Sequence, residues 1–197
     1  MTSIVANLMV TAASMVTDAD VSTARLGQRF GRLDLASQLA LLAVEKLGGD
    51  FATLSRVGIC LAARIGSLST DLDFWNGRDA VGGPSPTLFA YTLPSAAIGE
   101  IAIRYKLTGP NLCFVGASTV ALTEAGDMLE RGEADVCVCV SVNVVSPAAA
   151  TLLGVVPAAQ ACALMLARVA VGSCRRLESD RDMESVCAIH CGHNSRN

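Results

Sequence analysis

Short apolar runs alternate with amphipathic segments along most of the chain. The runs have the length of buried strands, whereas the amphipathic segments place apolar residues three and four apart, as helices do. The pattern predicts strands at 4–11, 56–62, 111–116, 134–142 and 161–167, and helices at 34–47, 94–105 and 118–131. Regular alternation of strand and helix implies a largely parallel sheet with helices on its faces, so we predict an α/β fold.

End signals support the predicted helices. Asp34 can cap the first helix at its N-terminus, and a glycine pair follows that helix as a stop. Pro94 suits the first turn of the second helix, on whose exposed side Glu100 and Arg104 lie four residues apart. Gly132 follows the third helix as its stop.

Two stretches depart from this alternation. Residues 66–91 are polar and contain glycine and proline, which predicts a long loop with a functional or interface role. Trp75 within it could anchor a partner surface or only its own loop. The tail at 184–191 is predicted to add a sixth strand.

Composition restricts the classes of function. The chain has 197 residues, of which 52% are hydrophobic and 17% charged, so we expect one domain over 1–197 built on one core. A net charge of -3 with scattered cations argues against nucleic-acid binding. The apolar runs are too short for a membrane span, and the N-terminus lacks the basic region of a signal peptide. We therefore expect a cytoplasmic protein.

The cysteines favour burial over bonding. Five of them lie in apolar runs, where cysteine behaves as a small hydrophobe, so free thiols are expected at Cys60, Cys113, Cys137, Cys139 and Cys162. The tail has a denser set, formed by Cys187, His190, Cys191 and His193. Its spacing fits no zinc template, and a strand would point Cys187 and Cys191 away from His190. We predict no metal and no cofactor.

The stretch from Thr108 to Leu122, which begins Thr-Gly-Pro-Asn-Leu, resembles the nucleophile segment of a β-ketoacyl synthase of the thiolase superfamily. Further similar pieces follow the family's order at 31–40, 56–60, 92–104 and 131–135, and together they cover most of residues 1 to 145. Where the family has its cysteine, this chain has Ser118. After about residue 145 the chain is shorter than the family pattern.

The resemblance implies a thiolase-like half fold, with a five-stranded mostly parallel mixed sheet and helices on both faces. It is closest to the short chain-length factors of aryl-polyene and type II polyketide systems. Such proteins form a heterodimer with a full-length ketosynthase and shape its acyl tunnel, and an acyl carrier protein acts through the complex. The catalytic histidines of the family's second half have no counterpart here, so we expect no independent catalysis in fatty-acid-type, polyketide or aryl-polyene biosynthesis.

The same resemblance suggests which residues line the tunnel or the dimer interface. The interface strand of the family corresponds to 112–115, and the predicted tunnel and interface residues are Phe89, Tyr91, Ile98, Leu112, Cys113, Phe114, Val115 and Ser118. For each of these, ordinary core packing is the alternative. Four cations could meet an acidic carrier protein or merely face solvent, namely Arg32, Arg104, Lys106 and Arg131.

Two other interpretations of Ser118 stay open. Serine is a favoured N-cap, so Ser118 could simply begin the third helix. It could instead be the nucleophile of an independent acyltransferase or thioester hydrolase, which would require a base within hydrogen-bond reach. Neither an internal histidine nor a suitably placed carboxylate such as Glu100 is expected to supply that base.

Overall fold

The computed structural model describes residues 8–79, 81–168 and 182–194. Five strands and eight α-helices follow one another along these ranges. They are β1 (Leu8–Thr17), α1 (Asp18–Thr23), α2 (Leu35–Glu45), β2 (Val57–Ala63), α3 (Leu68–Asn76), α4 (Pro86–Phe89), α5 (Ala96–Tyr105), β3 (Asn111–Val115), α6 (Ser118–Glu130), β4 (Val136–Val145), α7 (Pro147–Leu153), β5 (Ala158–Arg168) and α8 (Met183–Asn194).

The five strands form one mixed sheet in the order β1-β5-β4-β2-β3. Strand β2 lies between β4 and β3 and is parallel to both, whereas β5 is antiparallel to its two neighbours, β1 and β4. Four strands therefore run in one direction and only β5 runs against them. The predicted mostly parallel mixed sheet is confirmed.

Helices cover both faces of the sheet, and β4 contributes to both cores. Val138 and Val140 point to the core formed with α2 and α5. Cys137 and Cys139 point to the opposite core, formed with α6 and α8. This alternation of side chains follows from the pleat of a strand buried on both faces.

The predicted elements are found close to their expected bounds, and the structure adds several more. Strand β1 extends beyond the predicted run 4–11, whose first residues lie outside the described ranges. The expected loop at 66–91 contains α3 and α4. Helices α1 and α7 were not predicted, because short helices have too few turns to show a period.

The predicted sixth strand at 184–191 is wrong, since these residues belong to α8. Met183, Val186 and Cys187 are buried at helical spacing against the sheet. Asp182 precedes the helix, and its carboxylate accepts a hydrogen bond from the backbone N–H of Ser185 at 2.8 Å. Cys187 and Cys191 are thus one helical turn apart.

The expected surface pair on α5 is replaced by contacts to other elements. Glu100 accepts two hydrogen bonds of 3.0 Å from Arg29, and Arg104 Nε lies 3.2 Å from a carboxylate oxygen of Glu45 on α2. Tyr105 also donates to Glu45. The side chains near the C-terminal end of α5 therefore connect it to α2.

The five cysteines expected in apolar runs are free thiols, and four of them are fully buried. Within the described ranges, no helix has both the length and the hydropathy required to cross a bilayer.

Candidate functional site

Ser118 stands at the start of α6, directly after the edge strand β3. The chain turns between them at Gly116, whose φ of +129° is a conformation that L side chains rarely adopt. The turn places Ser118 at the carboxyl end of the parallel strands, which is where open α/β sheets carry their ligand sites. Its side chain is only 7% exposed.

Ser118 bonds to helix α8. Its hydroxyl donates to Glu184 Oε2 at 2.9 Å and accepts from the backbone N–H of Met183 at 3.2 Å. The other carboxylate oxygen of Glu184 accepts from Ser141 Oγ on β4 at 2.6 Å. We call Ser118, Ser141 and Glu184 the anchor cluster.

These contacts correct the expectation that Ser118 caps α6. The N-cap is Ala117, which is extended and provides no side-chain hydrogen bond, and Ser118 is the first helical residue. A carboxylate does lie within reach of the Ser118 hydroxyl, but it is Glu184, while Glu100 is bound to Arg29. Sequence reasoning missed Ser141, although a serine within the apolar run of β4 was a visible signal.

The space beside the anchor cluster is small. A cavity of about 180 Å³, even with its open mouth included, lies next to Glu184 and is lined by Met15, Ser141, Gln160, Ala161, Cys162 and Glu184. Pockets for small organic ligands usually enclose roughly 300–1,000 Å³. This cavity alone does not hold an extended acyl chain.

The buried cysteines do not replace the missing thiol. A hydrogen bond with Cys137 and burial raise the pKa of Cys60, and contact with Cys187 and burial raise the pKa of Cys162. Burial also raises the pKa of Cys113. Because the thiolate is the nucleophilic form, a raised pKa disfavours nucleophilic attack by these cysteines.

In the part of the chain that the structure describes, the predicted tunnel and interface residues lie on both faces of the sheet. Tyr91, Ile98 and Cys113 contact the core on the α2 face, whereas Leu112 and Phe114 contact the α6 face. Phe89 and Val115 are 61% and 66% exposed. Tyr91 alone among the eight lines a second cleft, of about 280 Å³, beside the end of β2.

Strand β3 has a free edge in the described sheet. Ile59 N–H donates to Pro110 O at 2.9 Å, and Gly116 N–H donates to Ala63 O at 3.0 Å. Backbone groups alternate in direction along a parallel strand, so those of Asn111, Cys113 and Val115 point away from β2. These outward groups can pair with another strand.

Other candidate residues are engaged within the chain. Arg104 and Arg131 form ion pairs at the surface with Glu45 and Glu133. Trp75 is 59% exposed, and the guanidinium carbon of Arg78 lies 4.4 Å from its ring centroid.

No group of three potential metal ligands converges among the described residues. In the predicted tail set, Cys187 is on the buried face of α8, and the side chain of His193 lies outside the part of the chain that the structure describes.

Comparison with known proteins identifies the family. The family model of the β-ketoacyl synthase N-terminal domain matches residues 9–175. The chain belongs to the β-ketoacyl synthase family. Ser118 therefore stands in a ketosynthase-family domain whose match ends before α8. No curated protein sequence is significantly similar to the chain.

Solved structures support the half-thiolase fold of this ketosynthase-family chain. It is similar to a chain of the ishigamide ketosynthase/chain length factor, with a TM-score of 0.69 and 21% identity over 86% of this chain and 64% of that one. A second similar structure is the complex of the type II PKS acyl-carrier protein AntF with its ketosynthase AntDE. For one chain of this complex the TM-score is 0.68 and the identity 18%, over 82% of this chain and 62% of that one.

A third similar structure is the ketosynthase ApeO in complex with its chain length factor ApeC from Xenorhabdus doucetiae. The TM-score is 0.66 at 16% identity, over 86% of this chain and 82% of the other. The chain thus spans less than two thirds of the first two structures and most of the third.

Proposed function

We propose that this chain is a non-catalytic subunit of a β-ketoacyl-ACP synthase complex, a chain-length factor that pairs with a complete ketosynthase and shapes its acyl tunnel. The main support for this proposal comes from Ser118. Its hydroxyl stands where the family has its thiol and donates a hydrogen bond to a carboxylate. A thiol reaches its anionic form near neutral pH and a serine hydroxyl does not. The carboxylate that accepts from Ser118 also accepts from Ser141, so we interpret Glu184 as a structural acceptor rather than a general base.

The free edge of β3 is the proposed pairing surface. Asn111, Cys113 and Val115 offer unpaired backbone groups there, and antiparallel addition of a partner strand would satisfy them. Apolar side chains are exposed on and beyond this strand, among them Phe89, Leu93 and Val115. Val115 also lies near Pro94 across Gly66, which makes part of this apolar surface continuous. Such a surface is typical of protein interfaces.

Pairing with a ketosynthase would also bring this chain next to the acyl substrate. An acyl carrier protein delivers the chain to the ketosynthase partner, in aryl-polyene, polyketide or fatty-acid-type synthesis. The small cavity at the anchor cluster supports a role in bounding a tunnel rather than enclosing one. We further propose that residues 1–197 act as one domain, and that the complex works in the cytoplasm, where such synthases find their carrier proteins.

Reconstitution tests the proposed function. The chain is co-purified with the ketosynthase encoded nearest to it, and elongation is measured for the partner alone, for the wild-type complex and for the Ser118→Ala complex. We expect the complex to alter the distribution of product lengths, with the Ser118→Ala complex giving the same products. Loss of turnover on Ser118→Ala, together with loss of acyl labelling at Ser118, would favour the independent acyltransferase or thioester hydrolase.

A further inference from the structure

Helix α8 is attached to the sheet by two kinds of contact. Its buried side chains, Met183, Val186 and Cys187, pack against β1, β5 and α6. Its polar attachment is the anchor cluster, in which both oxygens of one carboxylate accept from hydroxyls on two other elements. Two hydrogen bonds to one carboxylate add geometric specificity to the apolar packing of the helix.

We propose that the nucleophile position of the family has become, in this chain, an internal carboxylate-binding site that docks α8. Ser118 on α6 and Ser141 on β4 are the binding residues, and Glu184 is the bound group. The site joins the ketosynthase-family domain to a helix that lies after its last matched residue, 175.

The charge arrangement favours this docking. The N-terminus of α6 carries partial positive charge, and Ser118 is its first residue, so the carboxylate of Glu184 lies near a favourable helix end. Glu184 is also in the first turn of its own helix, where an anion is again favoured. Hydrogen bonds to an ionised acceptor are roughly twice as strong as neutral ones.

Removing the carboxylate would leave two buried hydroxyls without an acceptor. Ser118 and Ser141 are 7% and 5% exposed, so without Glu184 both hydroxyls lose a protein acceptor in a largely buried position while α8 stays in place. The unpaired groups are best satisfied when the helix leaves the sheet. Loss of Glu184 should therefore release α8 locally.

Native cysteines report on this release. Cys187 is on the sheet-facing side of α8, with its thiol 3.6 Å from Ala163 O, and it is fully buried. Cys139 is equally buried, but α6 covers it, with Sγ 3.8 Å from Ala121 O. Undocking of α8 exposes Cys187 and leaves Cys139 protected, whereas global unfolding exposes both.

The test is alkylation by iodoacetamide under native conditions, with each cysteine followed by peptide mass spectrometry. It is run on the full chain, alone or with its ketosynthase, for wild type, Glu184→Ala and a matched control, Glu130→Ala, at the exposed end of α6. We expect Glu184→Ala to accelerate modification of Cys187 by on the order of tenfold, with Cys139 and the control variant unchanged.

Unchanged protection of Cys187 would overturn the proposal, and so would a parallel rise at Cys139, which would mean global destabilisation. Should Glu184→Ala fail to fold, Ser141→Ala removes one donor with little change in volume and gives the same comparison. Helix α8 contacts β1 and β5, which lie at the opposite edge of the sheet from β3. The alkylation result therefore tests the docking of α8 even if the chain does not pair with a ketosynthase.

Discussion

A serine hydroxyl and a cysteine thiol at the same helix N-terminus differ in what they can do there. The thiol ionises near neutral pH, whereas the hydroxyl of Ser118 keeps its proton and donates it in a hydrogen bond to Glu184. The carboxylate makes the site suitable for holding α8 and unsuitable for forming an anion. The two residues, Ser118 and Glu184, therefore act in the same direction.

Restoring the thiol alone should not restore reactivity. In a Ser118→Cys variant the carboxylate of Glu184 disfavours the thiolate, and a Ser118→Cys/Glu184→Gln variant removes that charge. We expect alkylation at position 118 to be on the order of tenfold faster in the double variant, the change that one pKa unit brings. Mass spectrometry of the 118 peptide measures both rates, and modification of Cys187 in the same samples shows whether release of α8 contributes. Equal rates would show that Glu184 does not control this position.

Gly109 should tolerate no side chain. A Cβ built there collides with the carbonyl group of Val57, because the Gly109–Pro110 turn passes directly over the start of β2. We expect Gly109→Ala to lower the free energy of unfolding by about 2 kcal/mol or more.

The matched control for this close approach is Gly99→Ala, within α5, where the new Cβ meets nothing within 4 Å. It should stabilise the protein by ~0.5–1 kcal/mol, since alanine is the better helix former. Denaturant unfolding measures both changes. A neutral Gly109→Ala would contradict the described turn.

For single residues, the sequence predicts the position of Ser118 but not its hydrogen-bond partner. The Gly-Pro-Asn-Leu motif and the start of α6 locate the serine. Glu184 lies 66 residues later in the chain, in a segment with a weak local pattern, and nothing near Ser118 indicates the contact. A hydrogen bond between distant elements depends on packing that local preferences do not encode.

Among the helices, α2 and α5 are joined by an ion pair whose strength depends on pH. Burial would raise the pKa of Glu45, but hydrogen bonds from Tyr105 and Arg104 outweigh it and hold that pKa below its usual value. A carboxyl whose pKa is lowered by folding stabilises the fold above its unfolded value of about 4.3. This stabilisation is lost as the pH falls through the folded value.

A Glu45→Gln variant should therefore be less stable than wild type at pH 7, with the difference shrinking as the pH falls below about 4. Denaturation midpoints at pH 7 and at low pH measure it. The control is Glu130→Gln, which changes an exposed side chain with no such partners. A difference that stays constant with pH would exclude a role for the Glu45 charge.

Long elements with a regular hydrophobic pattern can be predicted from this sequence, whereas elements that depend on tertiary contacts cannot. The helix α6 was expected at 118–131 and spans Ser118–Glu130. The strand predicted at 184–191 is a helix in the structure. The cysteines and isoleucine of this segment suit either element, and only its burial against the sheet and its cap at Asp182 distinguish a helix. Short apolar segments are ambiguous in this way.

For the whole molecule, the arrangement of the sheet determines what can bind to it. Among the described residues β3 pairs only with β2, so its other edge is open in this sheet, and the end of that edge lies next to Ser118. The sequence predicted the strand, and the family resemblance suggested its pairing role. That β3 is an edge in this chain follows from the strand order, which depends on contacts between residues far apart in sequence.

The most direct test of the central claim is light scattering after size-exclusion chromatography of this chain co-expressed with its ketosynthase. Cys113→Pro removes an outward N–H from β3 without affecting the bonds to β2, and Cys113→Ala is the matched control. We predict a one-to-one heterodimer for wild type and Cys113→Ala, and separate species for Cys113→Pro. The account would be contradicted if the wild-type chain did not associate with the ketosynthase, or if the Cys113→Pro variant still formed the heterodimer.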